Sequence, residues 1–65
     1  MNLFTREEMV VIAIQGTQWK IAKHKDDIFY LYANNTPNAK DFEALKDFKI
    51  LHLILDDDCA TVSII

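Results

Sequence analysis

Ile28-Phe29-Tyr30-Leu31-Tyr32-Ala33 is the stretch on which the fold turns. Its six residues are all apolar or amphipathic and rich in aromatics, the pattern of a β-strand that requires cover on both faces. Lys25-Asp26-Asp27 precedes it and supplies a turn, because an aspartate bonds readily to nearby backbone and tolerates turn geometry. Thr17–His24 then becomes the first strand of a hairpin, with Trp19 and Ile21 on one face and Lys20, Ala22 and His24 on the other. After the hairpin, Asn34-Asn35-Thr36-Pro37-Asn38 reads as a loop and a helix start. Proline pushes Thr36 away from helical angles, which suits an N-cap, and proline at N1 loses no helical hydrogen bond. The helix is expected to run to about Phe48, with Ala44, Leu45 and Phe48 as its core stripe, Asp41 at its start and Phe42 at the rim.

Ile50-Leu51-His52-Leu53-Ile54-Leu55 forms the next strand, apolar apart from His52, and Asp56-Asp57-Asp58 ends it. Cys59–Ile65 is expected to add a short fourth strand with Val62 and Ile64 inward. At the other end, Thr5 and Glu8 match the capping box, Phe4 and Met9 the hydrophobic staple, and Gly16 a left-handed residue after the helix. These signals predict a helix over 6–15, against the strand preference of Val10-Val11-Ile12. The order α-β-β-α-β-(β) implies one α+β domain over 1–65. Its core is a small antiparallel sheet of three to four strands with one or two helices.

Composition narrows the function. The 65 residues carry 10 acids against 7 bases, a net charge of −3, which argues against direct nucleic-acid binding through phosphate contacts. One glycine cannot build a phosphate loop, and no metal-ligand spacing such as CxxC or HExxH occurs, so neither cofactor nor metal is expected. His24 and His52 lie on strands outside any catalytic constellation. The thiolate of Cys59 is disfavoured by the adjacent aspartates. The sequence therefore reads as a binding protein rather than an enzyme. Apolar runs of six residues are too short for a membrane span, and the first residues lack a signal-peptide pattern. A cytoplasmic protein is the expectation.

A chain this short is marginal alone, and a lone cysteine cannot form an internal disulfide. Leaving the two apolar strands half wet is a heavy loss at about 1.5–3 kcal/mol per large side chain. A homodimer burying sheet face or sheet edge is expected, with Tyr30, Tyr32, Ile50, His52 and Ile54 as interface candidates. On the second helix, Phe42 among Asp41, Glu43 and Asp47 suits an aromatic anchor surrounded by charge.

The segment Asp26–Asp57 resembles the small dimeric uracil-DNA glycosylase inhibitors of small Bacillus phages. The likeness covers about 40 of the 65 residues. It rests on the aromatic strand Phe29-Tyr30-Leu31-Tyr32, a loop, the helix with Asp41-Phe42-Glu43-Ala44-Leu45, and the apolar strand ending in aspartate. The resemblance implies a dimer of β-β-α-β protomers that mimics DNA and blocks the glycosylase's DNA-binding groove. Phe42 would enter an apolar pocket of the enzyme, with Glu43 in contact beside it. Asp41, Lys46 and Asp47 complete the implied partner-binding set. The partner would be a bacterial uracil-DNA glycosylase, met in the host cytoplasm if the chain is phage-encoded. The sequence departs from the family at Lys46, where a tyrosine is usual, and at Leu31, where an acid is usual. The alternative is a small dimeric regulatory protein, such as an antitoxin or an anti-defence protein, with another target.

Overall fold

The first helix, α1 (Arg6–Ala13), starts as its sequence dictates. Thr5 Oγ1 accepts from Glu8 N at 3.1 Å, and Glu8 Oε1 accepts from Thr5 N at 2.9 Å, closing the capping box. The helix ends two residues earlier than expected, at Ala13, and Gly16 supplies a left-handed turn at φ +78°. A computed structural model of the protein describes residues 3–65. Met1 and Asn2, the start of the N-terminal segment read for a signal peptide, lie outside the described residues. Among the described residues no helix is long and apolar enough to cross a membrane.

Strands β1 (Lys20–Lys25) and β2 (Ile28–Ala33) form a hairpin where one was expected, but β1 starts three residues later than Thr17, so Trp19 precedes the strand and Lys25 belongs to it rather than to the turn. Its two-residue turn has φ of 53° at Asp26 and 66° at Asp27, the left-handed pair that matches the twist of the flanking strands. A bulge at Ala22 corrects the expected facing of β1. Past it, His24 pairs with Phe29 on the buried face, where the two rings stack at 3.9 Å, while Lys20, Lys23 and Lys25 all share the opposite face.

The second helix, α2 (Ala39–Glu43), is shorter than expected and begins two residues later: Asn38, not Thr36, is the N-cap, and Pro37 lies buried before it. Beyond Glu43 the chain keeps coiling by tighter i→i+3 bonds, Leu45 N to Phe42 O, Lys46 N to Glu43 O and Phe48 N to Leu45 O. Leu45 still reaches the core, and Ala44 and Phe48 are half-buried.

Strands β3 (Ile50–Leu55) and β4 (Ala60–Ile64) complete a four-stranded antiparallel sheet in the order β1-β2-β4-β3. The C-terminal strand thus lies inside the sheet and separates the two apolar strands. Phe29, Leu31 and Ala33 of β2 lie opposite Ile64, Val62 and Ala60 of β4, and all six are buried. Val10, Trp19 and Leu45 close over them, so the core is one layer of helix and linker on one sheet face. Strand β3 ends up at an edge, and none of its six residues is buried.

Candidate functional site

Where α2 begins, the chain has built a polar clamp rather than a surface of acids. Asp41 is only 2% exposed. Its carboxylate accepts from Asn38 N at 3.0 Å, from Gln18 Nε2 at 2.8 Å and from Gln18 N at 3.2 Å. Asn38 Oδ1 in return accepts from Asp41 N at 3.0 Å, and Trp19 Nε1 donates to Asp41 O at 2.9 Å. The Asn38 N–H is the main influence holding the Asp41 carboxyl below its ordinary pKa. Burial opposes that shift, and Gln18 and Lys40 reinforce it. This corrects the sequence expectation for Asp41. The residue ties the α1–β1 connection to α2 and presents no free oxygen face to a partner.

Phe42 turns its ring edge-on to Trp19, with centroids 6.1 Å apart and planes at 70°, and is half-buried against the core. It therefore holds α2 in place with part of its surface and leaves the rest in water. Glu43, Lys46 and Asp47 are exposed. They lie together along an open groove of about 540 Å³ between the end of α1 and α2, with Gln15, Thr17 and Lys40 on the remaining walls. Asp47 also borders a smaller, more apolar hollow of about 290 Å³ formed by Phe4, Met9, Ile12 and Phe48. Of the five expected partner-binding residues, Glu43, Lys46 and Asp47 share one wall, Phe42 packs against Trp19, and Asp41 is enclosed.

The acidic turn after β3 is not free either. Thr36 Oγ1 donates to Asp57 O at 3.1 Å, which fastens Asp56-Asp57-Asp58 to the loop that leads into α2. Sequence reading missed this proximity, since Thr36 was expected to cap the helix and 21 residues separate the pair. Cys59 donates its thiol to Asp56 Oδ2 at 3.5 Å. Partial burial, then this hydrogen bond and the Asp56 and Asp58 charges, push the thiol's pKa up, the reverse of an activated nucleophile. Among the described residues, no group of three or more His, Cys, Asp or Glu is placed to hold a metal ion.

No protein-family model, curated protein or solved structure matches the chain. The site is therefore read from its own chemistry.

The expected interface residues divide by the register. Tyr30 and Tyr32 lie opposite Ser63 and Thr61 of β4, and these two in turn lie opposite His52 and Ile54 of β3. All six residues share the open sheet face, away from the helices. Ile50 does not join them. A bulge between Ile50 and His52 puts Ile50 opposite the buried Ile64, on the helix side. The open face also carries Lys20, Lys23 and Lys25, with Lys23 Nζ 6.0 Å from the centre of the Tyr30 ring.

Proposed function

We propose that this chain is a protein inhibitor of uracil-DNA glycosylase that works as a DNA mimic, occupying the enzyme's DNA-binding groove with its α2 side. The observation that carries the reading is the bond from Thr36 to Asp57. It holds three exposed aspartates beside the approach to α2, while Glu43 at the end of α2 and Asp47 in the coil after it are exposed as well. Five carboxylates, on the end of α2, the coil after it and the turn fastened to its approach, can take the place of phosphates against a basic groove, and the exposed part of Phe42 supplies an apolar anchor. The run β1-β2-α2-β3 also follows the β-β-α-β order of the phage inhibitors that the sequence resembles.

The test is an excision assay with a bacterial uracil-DNA glycosylase and a uracil-containing oligonucleotide. An equimolar amount of the protein should abolish excision. Glu43→Lys, at an exposed position, should weaken inhibition by roughly tenfold or more without changing the circular dichroism spectrum. Phe42→Ala should also weaken it, with a loss of about 1 kcal/mol of stability from the missing Trp19 contact. Full excision at saturating protein rejects the reading. Inhibition untouched by both substitutions moves the binding surface off α2.

A further inference from the structure

The two edges of the sheet differ in kind. Strand β1 is an edge made unattractive to other strands: its bulge breaks the ladder at Ala22, and Lys20, Lys23 and Lys25 line it. Strand β3 has none of these devices beyond its first residues. Past the bulge it runs His52-Leu53-Ile54-Leu55 without a formal charge, and its five apolar residues are 39% to 56% exposed. Asp56 N donates to Cys59 O at 2.9 Å, so by the alternation of an antiparallel ladder the N–H groups of Ile54 and His52 face β4. Those of Leu53 and Leu55 point outward with no strand beside them.

We infer that β3 is where a second copy of this chain pairs, edge to edge and antiparallel, to make a continuous eight-stranded sheet. The inference is independent of which protein the α2 side binds. A twofold axis at Leu53 places Leu53 opposite its own counterpart, with the outward N–H and C=O of each meeting the other's. It also sets Ile54 opposite His52 and Leu55 opposite Leu51, so no like charges meet. At those exposures the five apolar residues of β3 leave roughly 450 Å² per protomer in water, about 900 Å² for the pair. That area is below the roughly 1,200 Å² at which standard interfaces begin, so the outward N–H and C=O groups of Leu53 and Leu55 supply the rest of the affinity as main-chain hydrogen bonds.

The open face, the other candidate for self-association, is the poorer choice. Stacking it on a second copy removes three lysines per protomer from water with no acid on that face to receive them. Edge pairing leaves those lysines, Tyr30 and Tyr32 solvated. The exposed Leu53 and Leu55, on the helix side but beyond the reach of the helices, gain the neighbours they lack.

Sedimentation equilibrium and amide hydrogen exchange test this together. The wild-type chain should be a dimer at micromolar concentration, with the Leu53 and Leu55 amides protected and losing protection on dilution. Leu53→Lys, which faces itself across the twofold, should raise the dissociation constant by roughly 100-fold while circular dichroism stays unchanged. Tyr30→Ser should leave the dimer intact. A monomer at micromolar concentration overturns the inference. So does a dimer that Tyr30→Ser dissolves and Leu53→Lys does not, or a dimer whose Leu53 and Leu55 amides exchange freely.

Discussion

Replacing Asp41 with alanine should destabilise this protein more than any other loss of a single charge. Three donors converge on its carboxylate: Asn38 N, Gln18 N and Gln18 Nε2. A hydrogen bond to a charged group contributes about 1.5–3 kcal/mol, and bonds that share one acceptor group do not add in full. Truncation also leaves the two backbone N–H groups without their partner, so the expected loss is about 3 kcal/mol. A chain of this length has roughly 3–10 kcal/mol in total, which puts Asp41→Ala near the limit of folding. Asp41→Asn should recover only part of the loss. Whichever way its amide turns, an NH₂ group meets an N–H where an oxygen stood. Trp19 is the only tryptophan, is buried, and donates to Asp41 O, so its fluorescence through a urea titration reads the transition directly. The pH dependence has a definite sign. Because folding lowers the Asp41 pKa, its contribution is fully present above the unfolded value near 3.8 and is lost as pH falls through the folded value. Parent stability should therefore drop in that acid range, and Asp41→Ala should show a flatter profile there. A loss below about 0.5 kcal/mol for Asp41→Ala, or identical acid profiles, refutes the clamp.

Two other substitutions probe the local rules that shape the elements. Asp27→Gly should raise the melting temperature by roughly 4 °C, because a left-handed φ of 66° costs a non-glycine residue about 1 kcal/mol and glycine almost nothing. A lower melting temperature removes turn strain as the explanation. Thr5→Ala should cost about 1 kcal/mol in a thermal melt by opening the capping box of a helix that buries only Val10, and an unchanged melt argues that α1 is held by other contacts.

Elements that depend on neighbours in the chain were legible. The capping box, the turn aspartates and the span of β3 follow from residues within a few positions of one another. Facing was lost wherever a bulge intervened. A single extra residue at Ala22 moved His24 onto Phe29 and collected three lysines on one face, and the bulge near Leu51 did the same to Ile50. No local pattern announces such an insertion, since both ladders look regular in sequence. The fourth strand after Asp58, with Val62 and Ile64 inward, was legible too, but its place between β2 and β3 was not. Its central place comes from Val62 and Ile64 meeting Leu31 and Phe29, residues about thirty positions away.

The site was misread at one residue for a more general reason. An acid at the third position of a helix serves equally as a capping partner or as surface charge, and its neighbours Phe42 and Glu43 do not discriminate. Gln18, 23 residues upstream, selects the first role by placing two donors on the carboxylate. Strand β3 poses the reverse case. Residues apolar on both faces predict an interior strand, yet β4 takes the interior and leaves β3 at the rim. The sequence pattern and the single-chain fold agree once another strand lies beyond β3. An interior composition on an exposed edge is therefore evidence about assembly, and the three lysines on the opposite edge show how this same chain treats an edge that is meant to stay alone.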